Sequence, residues 1–266
     1  MAFEIKDIDE SQAPLLEHLI ELRSRLMRCI VALAVSFGVC FYFVKPIFAF
    51  LVAPLAAAFP NGQGRLVYTK LYEAFFVELK VAFFAGFILS FPVLANQLWA
   101  FVAPGLYAKE KKAFLPFLIA TPIFFLTGAA LAYYVVLPPA LRWLLGFSGQ
   151  MGGLKLEALP STGDYLGLVM QFILAFGVSF LLPVLLMLLN TAGLVTRAQL
   201  VGARRYVIVA IVAAAALLTP PDVSSQLMLA VPLLVLFEGT MIFMWFTEKR
   251  DAKTKAAEAV VDVQEG

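Results

Sequence analysis

The chain has 266 residues, 62% of them hydrophobic and 14% charged, with a net charge of +2. A soluble domain is nearer half apolar and a quarter charged, so this balance excludes an ordinary water-soluble globule and points to a protein that crosses a membrane several times. The net charge itself says little; where the charges sit decides the topology, and the 25 phenylalanines suit lipid-facing and interhelical packing.

The N-terminal segment 1–14 is acidic, with Glu4, Asp7, Asp9 and Glu10, and the first apolar run is too long for a cleavable signal peptide. Next comes HLIELRSRL at 18–26. Pro14 suits the first turn of a helix, with Ser11 as a cap upstream. In a helix, Leu15, Leu19, Leu22 and Leu26 form one apolar stripe, while Glu21, Arg25 and Arg28 stand at i, i+4, i+7 on another face. The element is amphipathic and runs straight into the first span, 27–44. Its arginines would anchor it at the interface.

A loop follows with Pro46, Pro54, Pro60 and Asn61-Gly62. The second span is 74–98, carrying Glu78 and Lys80. WAFVAPGLYAKEKK at 99–112 reads as a loop before the third span, 113–137, which Pro138-Pro139 closes. The Gly-rich stretch 146–163 reads as a loop, and 164–190 is the fourth span. A short basic connection with Arg197, Arg204 and Arg205 leads to a fifth span, 206–218. Thr219-Pro220-Pro221-Asp222 separates it from the sixth, 223–246, and the charged tail 249–266 is expected to be disordered. The expectation is an all-α membrane domain over 15–248, six helices with the last two short. Pro92, Pro116, Pro122, Pro183 and Pro232 in or beside the spans favour bent helices and a curved, cup-like bundle.

With the N-terminus in the cytoplasm, the inside segments hold fourteen Lys and Arg and the outside loops five, namely Lys45, Arg65, Lys70, Arg142 and Lys155. The positive-inside rule therefore places both termini in the cytoplasm. The thirteen residues of 206–218 make about 20 Å of helix against a hydrocarbon core of about 30 Å, so the membrane beside the last two helices is expected to be thinned, or neighbouring helices to cover the ends. Cys29 and Cys40 fall in one helix about 16 Å apart, too far to bridge. With one histidine, His18, no Cys/His cluster, no Gly-rich phosphate loop and no Ser/His/Asp set, neither metal, cofactor nor catalysis is expected, and nucleic acid is not a partner.

Acidic residues in or beside spans carry the functional signal. Glu21 and Glu110 both fall on the cytoplasmic side among basic neighbours. They read either as local ion pairs on a solvated surface or as two carboxylates that receive a cationic guest, for which a guanidinium is the best match. Asp222 suits an N-cap of the last helix. Glu238, between Phe237 and Gly239, lies deep enough to need a partner or a proton.

Five motifs in this order, HLIELRSRL, WAFVAPGLYAKEKK, FGVSFLLPV, LLTPPDVSSQ and LFEG, resemble the TatC family, the large subunit of the twin-arginine protein translocase. The resemblance runs from about Leu15 to Glu248. It implies a non-enzymatic receptor in the bacterial inner membrane. Such a receptor recognises twin-arginine signal peptides of folded cargo, assembles as a homo-oligomer with the single-span subunits TatA and TatB, and is driven by the proton-motive force. By the same resemblance Glu21 and Glu110 bind the arginine pair, with Leu22, Arg23, Arg25 and Phe101 around them. Pro54 matches a sensitive outer-loop position, and Tyr206, Asp222, Gln226 and Glu238 fall on the helices where partners dock. One departure stands out: many members carry a glutamate in the fourth span where this chain has Leu181, and the nearby polar residue is Gln171, ten positions away. The alternatives from the residues alone are a proton- or ion-coupled transporter of a small solute, with Glu238, Asp222 and Glu78 as relay, and a passive membrane scaffold.

Overall fold

A computed structural model describes residues 8–59, 64–106, 111–151, 154–156, 158–191, 193–218 and 223–265, and the side chains of 19–59, 64–101, 116–148, 158–191, 193–217, 223 and 226–249. The described residues are almost entirely helical. Six stretches are long and apolar enough to cross a membrane: Leu19–Tyr42, Glu73–Phe101, Pro116–Leu145, Thr162–Thr191, Arg197–Leu217 and Gln226–Lys249. These are the six expected spans. The chain divides into two compact units, one of Met1–Leu51 with Tyr68–Pro122, the other of Val52–Val67 with Ile123–Gly266.

The first unit is built on two long helices. α1, Ile8–Tyr42, carries HLIELRSRL and the first span in one uninterrupted rod. α3, Glu73–Leu106, opens on a capping carboxylate: Glu73 Oε2 accepts from Thr69 N at 2.6 Å, from Thr69 Oγ1 at 2.8 Å and from Lys70 N at 3.2 Å. α1 packs along α3. The approach is closest at Gly86, where a Cβ would stand 2.9 Å from the backbone N and Cα of Phe37 and 3.2 Å from the carbonyl carbon of Ser36. Only a residue without a side chain lets two backbones come this near, as small residues do between membrane helices. α3 continues eight residues past the expected end of its span, so WAFVAPGL is helix and not loop. α4, Lys111–Leu131, begins in this unit, and Trp99 Nε1 donates to Thr121 Oγ1 at 2.8 Å, tying the end of α3 to it.

Further features differ from the sequence reading. The first expected loop contains a helix, α2, Val44–Ala58, whose apolar, Ala-rich run tolerates Pro46 in its first turn and Pro54 inside. Pro138-Pro139 does not end the third span. A π turn, Ala132–Val136, precedes it, with Leu137 N donating to Ala132 O five residues back, and α5, Leu137–Leu145, follows. The wider turn accommodates residues that cannot donate into the ordinary α ladder. Within 146–163, β1, Gly149–Met151, pairs antiparallel with β2, Leu154–Leu156. The fourth span is two helices, α6, Thr162–Ser179, and α7, Leu182–Thr191, broken at Phe180-Leu181 just ahead of Pro183, which has no N–H to carry the α ladder across.

In the second unit Ser161 caps α6 by accepting from Asp164 N at 3.1 Å, and Val67 is pinned to the same cap, its carbonyl accepting from Thr162 N at 2.9 Å. Gly177 of α6 lies against the ring of Phe125, and Gly128 of α4 against Phe176 and Phe180, a second close approach through glycine. α8, Arg197–Leu218, packs on α9, Val223–Glu265. The last two helices are thus not short. α8 starts at Arg197 and not at Tyr206, and its 22 residues make about 33 Å. What is short is its charge-free part, 206–218. The tail expected to be disordered continues α9 to Glu265, in keeping with its Ala, Lys and Glu content.

Candidate functional site

Glu21 and Arg25 form the ion pair that their spacing predicts. Arg25 Nε and Nη2 donate to Glu21 Oε1 at 2.9 and 2.6 Å. The face on which they stand is the unexpected part. Leu19, Leu22 and Leu26 are 59%, 40% and 55% exposed, whereas the side chains of Arg25 and Glu21 are 20% and 36% exposed. Glu21, Arg25, Cys29, Leu33, Ser36 and Cys40 make the less exposed stripe of α1, and its lower part is charged. In water the leucines would turn inward; at a membrane surface lipid can cover them, so the helix is free to set its charges against protein. Arg23 and Arg28 remain exposed.

On α3, Gln97 Oε1 is buried with no hydrogen-bond partner among the described residues, and half-buried Phe101 stands one turn on. Glu110 lies outside the described residues, so its position relative to Glu21 is not described. Asp222 is likewise outside them.

A second polar cluster joins α8 and α9. Arg204 Nε and Nη2 both reach Glu238 Oε1 at 2.6 Å. Glu238, read as needing a partner or a proton, has a partner. Arg204 enters the sequence reading for topology alone, although an equal-spacing argument finds it: the two residues lie fourteen and fifteen positions from the facing helix ends Leu218 and Val223, and so meet in an antiparallel pair. Gln226 Nε2 donates to Val212 O at 3.3 Å, and Tyr206 is exposed with Arg205 over its ring, 4.8 Å from the centroid. Pro54 is buried in α2 beside Leu51 and Leu55. Leu181 sits half-buried at the α6–α7 break, while Gln171 is exposed on α6. Of the relay residues of the transporter alternative, Glu238 is ion-paired and Glu78 is half-buried on α3.

Residues 17–232 match the family described as Sec-independent protein translocase protein (TatC). The chain belongs to the TatC family. It is 49% identical over 249 residues to Sec-independent protein translocase protein TatC of Magnetococcus marinus, covering 94% of this chain and 90% of that one. The protein of that name from Escherichia coli is 39% identical over 237 residues, covering 89% and 90%. The crystal structure of twin arginine translocase receptor TatC in DDM superimposes with a TM-score of 0.75 at 38% identity, covering 85% of this chain and 98% of that one. HLIELRSRL and the α8–α9 pair thus stand in a TatC fold.

Proposed function

We propose that this chain is the receptor subunit of a twin-arginine protein translocase. It takes the paired arginines of a signal peptide on Glu21 and Glu110 at the cytoplasmic face of the bacterial inner membrane. The observation that carries the reading is Glu21, a half-buried carboxylate within the HLIELRSRL motif of a TatC chain. A carboxylate in that setting is less screened by water than a surface one and pairs well with a planar guanidinium. Leu22 and Arg23 flank it on α1 and Phe101 stands on α3. Each pair contributes a few kcal/mol at most.

The role is recognition and not catalysis, and it calls for no cofactor or metal. Both termini are cytoplasmic. Several copies of the chain assemble with single-span TatA and TatB, which dock along α8 and α9 near Tyr206, Asp222, Gln226 and Glu238. Pro54 shapes the outer face. Export of folded cargo then draws on the proton-motive force. The test is photocrosslinking in membranes from a probe at Phe101 to a signal peptide. Glu21→Ala and Glu110→Ala should each weaken the Arg-Arg crosslink while the complex still assembles; undiminished crosslinking in the double substitution would sink the assignment.

A further inference from the structure

Glu21 is not waiting empty for a guest: it already holds a guanidinium of its own chain. Arg25 places two N–H bonds on Oε1, and with its side chain only 20% exposed it is not an ordinary solvated i,i+4 pair. A guest arginine that reaches Glu21 meets this resident first, and a displaced Arg25 needs another acceptor.

The helix register supplies one. α1 and α3 cross where Ser36 and Phe37 meet Gly86. Eleven residues back from Ser36 is Arg25, and eleven on from Gly86 is Gln97. Eleven residues are about three full turns and about 16 Å, so each residue keeps the facing side of its helix. Consecutive spans run in opposite senses, so both steps lead to the same end of the pair. Gln97 Oε1 is buried there with no hydrogen-bond partner, a condition that folded proteins rarely leave standing.

We propose that Arg25 is a built-in competitor for Glu21 that sets the specificity of the site, and that Gln97 Oε1 receives Arg25 when a guest displaces it. A guest arginine can reproduce both bonds that it breaks. A lysine offers a point charge without the planar fork and does not match the resident. The cost of displacing Arg25 is common to both guests, so it discriminates through occupancy: the guest that reproduces both bonds still fills the site, and the weaker one does not. The inference rests on the reading of Glu21 as the receptor carboxylate.

The experiment uses the assembled complex in membranes, with the Phe101 probe and two peptides carrying Arg-Arg or Lys-Lys. The wild-type chain should prefer Arg-Arg. Arg25→Gln should raise Lys-Lys capture about threefold and so shrink the preference, and Arg25→Lys should do so in part. Gln97→Leu should lower Arg-Arg capture about threefold in the wild-type background and have no effect in the Arg25→Gln background. An unchanged preference in both Arg25 variants would overturn the inference. So would loss of both peptides by an assembled Arg25→Gln complex, or a Gln97→Leu effect that persists without Arg25. If the wild-type chain itself captures both peptides equally, the receptor reading fails first, which separates the two failures.

Discussion

The carboxylates divide by how their neighbours were found. Glu21 and Arg25 were legible as a pair because four residues on a helix bring side chains onto one face whatever the tertiary setting. Glu238 was legible only as a problem: a charge inside an apolar span needs compensation, but its partner sits 34 positions away. The pair stands near the middle of the Gln226–Lys249 span, where an unpaired carboxylate is costly. Arg204→Ala and Glu238→Ala should each lower the thermal stability of the purified protein in detergent, by an amount of about 1 kcal/mol. The exchanged pair, Arg204→Glu with Glu238→Arg, should recover most of that loss. Failure of the exchange to recover stability would mean that the two helices do not depend on this contact.

At the scale of elements, hydrophobic runs located all six spans but misjudged their ends. Proline was the main reason. Pro46 and Pro54 looked like loop residues yet stand in α2, and Pro138-Pro139 looked like a stop yet follows a π turn within a continuous helical stretch. A proline forbids one backbone bond and does not by itself say whether the chain stops, widens its turn or bends. Glycine carries the opposite information. Gly86 gave no sign in the sequence that it is the point of closest approach of α1 and α3. Gly86→Leu forces a side chain into Phe37 backbone and should cost about 1–3 kcal/mol. It should also reduce a cysteine crosslink engineered between Arg25 and Gln97, while Gly38→Leu, with open space around it, should leave that crosslink intact. Equal effects of the two would remove the close approach from the account.

For the molecule as a whole, the placement of Lys and Arg makes the strongest unmeasured claim, that both termini face the cytoplasm. Single cysteines introduced at Ser11, Gln63 and Glu265 in a Cys29→Ala, Cys40→Ala background test it. An impermeant maleimide on intact cells should label position 63 alone, and positions 11 and 265 only after the membrane is breached. Labelling of 11 or 265 from outside would reverse the topology. The longer α8 also changes the argument for a thinned bilayer: a 22-residue helix reaches across, so helix length by itself no longer calls for thinning.

Composition determined the membrane class, apolar runs the six spans, and charge asymmetry the expected orientation, since each is a sum over many residues that no single contact can overturn. Motif order carried the family resemblance across the chain. Tertiary structure alone decided that the leucines of HLIELRSRL face outward while Glu21 and Arg25 are less exposed, that Arg204 answers Glu238, and that Gln97 Oε1 is a buried acceptor with no hydrogen bond among the described residues. Those depend on which faces of distant helices meet, and helical periodicity names the faces of one helix without saying what another will bring against them.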